Sequence, residues 1–206
     1  MARRKQNFIN QRSEFYIVTN GKESEYNYFN ILKSKKSTYE VKIKYANKDP
    51  LGLVRYACDF IKNANQVWVV FDIDYTFEEK RLLPAIELAE SNEIKYAISN
   101  LAFEVWLISH FKKCEQVLDT EGHKRLLNEY LNLKNKGLKY EKNDIQSIKK
   151  YFIPYYKTAI NNAKIVFQKK KYEFEKQSNS NSRLPIWEWN SCTTVYKLVE
   201  ELKLSE

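Results

Sequence analysis

Residues 66–74, QVWVVFDID, constrain the fold more than any other stretch of the chain. Val67 to Phe71 is an unbroken apolar run of β-branched and aromatic residues, and it ends abruptly in Asp72-Ile73-Asp74. A run without polar alternation fits a strand covered on both faces, as at the centre of a parallel sheet. Such strands carry chemistry at their carboxyl ends, where loops converge on a crevice. Two carboxylates one residue apart are suited to holding a hard divalent cation, Mg²⁺ or Mn²⁺. The plainer alternative is that Asp72 caps the following helix and Asp74 is solvated.

The chain around this strand alternates. Phe15 to Val18 reads as a short strand that breaks at Thr19-Asn20-Gly21, with a helix from near Ser24. Tyr39 to Tyr45 alternates apolar and charged residues, as a half-exposed strand does. Lys48-Asp49-Pro50 opens a second helix, the central strand follows, and a helix over 77–91 is interrupted at Pro84. Ile94 to Ile98 forms a fourth strand. The order β-α-β-α-β-α-β implies an α/β fold with a parallel sheet and right-handed crossovers. If strands one and three are neighbours, one crevice collects Asn20, Gly21, Glu25, Asp72 and Asp74. Beyond residue 100 the pattern turns helical, near 122–133, 143–152 and 155–177, with a terminal helix over 193–202. Phe103 to Phe111 is strongly apolar, interrupted only by Glu104, Ser109 and His110. The division expected is a basic arm over 1–12 and a single domain over 13–206, with an α/β core (13–111) and a helical extension (112–206).

Composition narrows the functional classes. Lys and Arg number 35 against 26 Asp and Glu, a formal charge of +9, which favours an anionic partner such as RNA or DNA. Arg3, Arg4 and Lys5 in the arm, Lys22, and the run Lys169-Lys170-Lys171 are the candidate backbone contacts, although a lysine run is more often a solvated helix face. Three scattered cysteines fit neither a zinc site nor a disulfide framework, which points to a reducing cytoplasm. No apolar run has the length of a signal-peptide core or a membrane span. No GxxxxGK[ST] loop is present, so nucleotide hydrolysis falls to another protein. His110 in an apolar stripe reads as a satisfied core histidine, and His123 beside Gly122 reads as a loop residue without a role. Trp187 and Trp189 read as a packed aromatic patch rather than a base-stacking platform.

Several stretches, in order, resemble the RloB family, small proteins with a Toprim-like fold found in prokaryotic defence loci. They are Ile17 to Gly21 running into Glu25-Tyr26-Asn27-Tyr28-Phe29; Val70 to Asp74; Ile98-Ser99-Asn100 with Phe103 to Phe111; and Asn190-Ser191 with Thr194 to Val199. FExWLxxHF after an SN turn is the most specific, and residues 112–185 match poorly. The resemblance implies a small parallel sheet with an acidic metal site, in which Asp72 and Asp74 match the metal pair. It also implies a general acid-base Glu directly after strand one, but that position is Asn20 here. A neutral amide cannot take a proton from water. Glu25, Glu104 or neither takes over that role. The implied function is a Toprim-type, Mg²⁺-dependent nuclease acting on RNA, including tRNA, or DNA in phage defence, beside an AAA- or ABC-type ATPase encoded nearby. The resemblance leaves room for an oligomer. The competing expectation is a catalytically degenerate module that binds nucleic acid or the ATPase without cleaving. A protein that merely holds phosphates in the crevice is disfavoured by the acidic strand ends.

Overall fold

A computed structural model describes residues 14–33, 39–73, 79–177 and 185–204. Arg3, Arg4, Lys5, Asp74 and the SNSNS stretch lie outside the described residues. The sheet contains β1 (Glu14–Thr19), β2 (Glu40–Tyr45), β3 (Ala64–Ile73), β4 (Lys95–Asn100) and β5 (Cys192–Thr193), in the order β2-β1-β3-β4-β5. The first four strands are parallel and β5 is antiparallel to β4. This is an α/β fold with a helical carboxyl-terminal half, as the alternating pattern implied. The two-residue β5 was not expected, because a strand that short carries no periodicity.

β3 runs through the middle, and Val67 to Phe71 are all buried. Both faces are covered, the reason the run needs no polar alternation. α2 (Pro50–Cys58) and α3 (Glu79–Ser91) pack together over one face. α1 (Ser24–Leu32) and α8 (Val195–Leu204) cover the other, joined where Lys203 Nζ donates to the Leu32 carbonyl oxygen at 2.8 Å. Asp49 caps α2, its Oδ1 accepting from the Gly52 N–H at 2.7 Å, with Pro50 at the first helical position. α3 is not broken at Pro84: the proline sits inside it, where it removes one backbone hydrogen bond without ending the helix.

The helical half comprises α4 (Glu104–Ser109), α5 (Thr120–Lys134), α6 (Ile145–Ser147) continuing as a π-helix over Ile148–Phe152, and α7 (Tyr156–Gln177). It shares one continuous core with the sheet, from Phe15 and Val69 through Trp106 and Phe152 to Val199. Its attachment is specific. Asn100 Nδ2 donates to the carbonyl oxygens of Ile186 (3.2 Å) and Trp187 (2.6 Å), which fixes residues 186–187 against the end of β4. Trp189 is buried beside Phe167 and Phe174, the packed patch expected of it, and Trp187 is half-buried.

Both histidines are buried. His110 Nδ1–H faces the carbonyl oxygens of Trp106 (3.1 Å) and Leu107 (3.2 Å), and Nε2 accepts from the Tyr28 hydroxyl at 3.0 Å. Burial pushes its pKa down to about 3, so the ring is neutral and satisfied on both sides. His123 lies in α5, not in a loop. Its Nε2 stands 2.6 Å from Ser191 Oγ, which is 2.7 Å from the Gln116 carbonyl oxygen. With Nε2–H donating, the Ser191 hydroxyl donates onward to Gln116, and burial holds the ring neutral with a pKa of about 4. Asn190 Nδ2 adds a bond to the Leu118 carbonyl oxygen at 2.8 Å. The Asn190-Ser191 step therefore staples α5 and the loop before it to the sheet.

Candidate functional site

The strand order reverses between β1 and β3, since β2 lies on the far side of β1. That switch point is where open α/β sheets place their ligand crevice. Pairing of Thr19 with Val70 brings the Asn20-Gly21 step alongside the end of β3. The crevice there is a cavity of about 260 Å³ lined by Asn20 to Glu25, Asp72 and Lys142.

Four oxygen-bearing side chains come together at this point. Asp72 sits one residue before the end of β3, its carboxylate accepting from the Phe103 N–H, while Oδ1 is buried without a partner. Asn20 follows β1 directly, and its Oδ1 is also buried without a partner. Glu104 opens α4, is 2% exposed, and leaves Oε1 unpartnered. Glu25, in the first turn of α1, is 6% exposed. A Cβ placed on Gly21 would overlap the Glu25 carboxylate, so only glycine lets that carboxylate close over the Asn20-Gly21 step. An acid borrowed from one helical turn onward thus stands beside the amide.

The electrostatics are those of crowded carboxylates. Burial pushes the Glu25 pKa up to about 7, helped by the charge of Glu104 and opposed by its own backbone N–H and Lys142. Asp72 is held well above the usual carboxylate range by burial first, then by Glu25 and Glu104, with the Phe103 N–H and Lys142 pulling the other way. Tyr140 Oη lies 2.7 Å from Ser24 Oγ at the same place, and its phenol is pushed upward by burial and by Glu104.

Among the described residues no three His, Cys, Asp or Glu side chains form a metal cage by themselves. The donors present are nevertheless all oxygen, and three of those oxygens have no partner. Mg²⁺ typically takes one or two protein carboxylates and completes its shell with water and substrate oxygens. The cavity oxygens of Asp72, Glu25 and Asn20 are donors of the type Mg²⁺ prefers and zinc does not, with most of a shell left to water and substrate.

Of the candidate residues, Asn20, Glu25, Asp72 and Glu104 are brought together, although Glu104 does not line the cavity. Lys22 is exposed at the cavity wall. Lys169, Lys170 and Lys171 do not line it. Lys169 pairs with Glu115 (3.5 Å), Lys170 donates to the Asn190 carbonyl oxygen (3.0 Å), and Lys171 pairs with Glu175 (3.5 Å). Ser24, Tyr140 and Lys142 were not picked out from the sequence. The last two lie in a segment without periodicity, and only the fold brings it to the crevice.

A family model described as RloB-like protein matches residues 15–202. The chain belongs to the RloB-like family. The match runs through both the sheet and the helical half, so the family spans the shared core and the crevice together. No curated protein and no solved structure matches the chain. No described helix is long and apolar enough to cross a membrane.

Proposed function

We propose that this RloB-like protein is a Toprim-type, Mg²⁺-dependent nuclease of a cytoplasmic anti-phage defence system, cleaving RNA or DNA beside an ATPase partner. The observation that supports this reading best is the closure of Glu25 over Gly21. It puts a carboxyl group beside the buried, unpartnered oxygens of Asn20 and Asp72. Buried polar atoms usually have a partner, and water, a ligand or an ion can complete these.

In this reading Asp72 holds the cation, with Asp74 as its second carboxylate, and Asn20 Oδ1 and Glu104 lend further oxygens. The cation supplies charge stabilisation at the scissile phosphate. Glu25 takes the proton of the attacking water from its place over the Asn20-Gly21 step. Asn20 orients that water, since an amide accepts a hydrogen bond but takes no proton. Gly21 keeps Glu25 in place.

The test is cleavage of total tRNA, single-stranded DNA and duplex DNA by the purified protein with Mg²⁺ or Mn²⁺, beside Asp72→Ala and Glu25→Gln. Cleavage by the wild type, lost in both variants, is the expected result. Asn20 favours one other reading, a degenerate module that binds without cleaving. Nucleic-acid binding with no cleavage, even with the ATPase present, would replace the nuclease by that module.

A further inference from the structure

The crevice floor is acidic, so a nucleic-acid phosphate entering it meets Glu25, Asp72 and, close by, Glu23 and Glu104. Even with one divalent cation bound, a backbone phosphate needs positive charge at the mouth to approach. Two ammonium groups stand there, Lys22 from the loop after β1 and Lys142 from the segment between α5 and α6.

Lys142 is held there by a built segment. On one side, Tyr140 Oη pairs with Ser24 Oγ at 2.7 Å, and the Tyr140 N–H donates to Asn128 Oδ1 at 2.7 Å. On the other, Asp144 N–H donates to the Glu141 carbonyl oxygen at 3.0 Å, and the Asp144 side chain caps α6 through the N–H groups of Gln146 and Ser147. The lysine between these anchors is exposed and makes no hydrogen bond or ion pair with any described residue, although its charge is felt by Glu25 and Asp72. A cation fixed by its backbone, facing carboxylates but more than 4 Å from them, leaves a gap that an anion with its own counter-ion can fill.

We propose that Lys142, with Lys22 on the same cavity, is a phosphate clamp that seats one backbone phosphate of a nucleic-acid strand over the acidic floor. The helical half would thus supply part of the substrate site. The proposal rests on the nuclease reading for the purpose of the contact, but the contact itself is measurable without turnover.

Binding of labelled 12-nucleotide single-stranded RNA, single-stranded DNA and duplex DNA is followed by anisotropy over a salt series in Ca²⁺, for wild type, Lys142→Ala, Lys142→Arg and Asp72→Asn. Mg²⁺-dependent thermal stabilisation is measured on the same proteins. Lys142→Ala should weaken binding roughly three- to tenfold and reduce the salt slope on single strands by about 0.7, the signature of one lost phosphate contact. Lys142→Arg should keep the slope, and Mg²⁺ should still stabilise Lys142→Ala. Unchanged affinity and slope in Lys142→Ala, or no binding by the wild type to any of the three, overturns the clamp. Absence of Mg²⁺ stabilisation in the wild type, with the Lys142 effect intact, overturns the metal site and leaves the clamp standing.

Discussion

Two clusters of buried polar side chains flank the same sheet, and they are built on opposite principles. Around His110 and His123, the hydroxyls of Tyr28 and Ser191 and nearby main-chain carbonyls meet almost every ring nitrogen; His123 Nδ1 is the exception. At the crevice, one oxygen each of Asn20, Asp72 and Glu104 has no partner and the carboxylates repel one another. A satisfied polar network rigidifies a core. An unsatisfied one costs stability, as the proposed site would before its cation binds. The same family signature, FExWLxxHF, contributes to both: Glu104 to the unsatisfied cluster and His110 to the satisfied one.

Mutation separates the two most sharply. Asp72→Ala should lower nuclease kcat/KM by about 10³-fold or more while leaving a folded protein. His110→Ala should instead unfold at lower temperature, by about 3 kcal/mol in stability, with little loss of activity per folded molecule. A thermal melt beside the cleavage assay reads both, and equal losses of activity at equal folded fraction would erase the distinction.

The pH response follows from Glu25. Its folded pKa of about 7 lies above its ordinary 4.5, so the folded state carries the extra proton between those values. Stability in chelator therefore falls as pH rises through about 4.5 to 7, by up to about 3 kcal/mol from Glu25, and Glu25→Gln should reduce the slope to the part that Asp72 contributes with the same sign. Denaturant melts across that range check it, and an unchanged slope in the variant would remove Glu25 as the cause.

Gly21→Ala should push the Glu25 carboxylate off the Asn20 step and lower activity by about 10²-fold, the effect of an ångström-scale misplacement. Wild-type turnover in that variant would mean that Glu25 is not the base. The smallest effect belongs to the satisfied cluster: Tyr28→Phe should cost about 1–2 kcal/mol by leaving His110 Nε2 unpaired. Asp72→Asn without metal should do the reverse and leave the melting temperature unchanged or raised. Like signs for these two would break the comparison.

What local pattern could carry, the sequence determined. The apolar run of β3, the alternation of β2 and the Asp49-Pro50 start of α2 are properties of neighbouring residues, and the element order of the sheet follows from them. The pairing of β1 with β3 then placed Asn20, Glu25 and Asp72 together, an inference from topology that the strand order bears out. Other features are long-range and had no local signature. Ser24 and Tyr140 are 116 residues apart in sequence, and His123 and Ser191 are 68 apart. A serine, a tyrosine or a lysine in a loop looks the same whether it is solvated or reaches a crevice. Lys142 became a candidate only because the segment carrying it is anchored over carboxylates from the other half of the chain. Packing decided that, through hydrogen bonds between residues that no sequence window holds together.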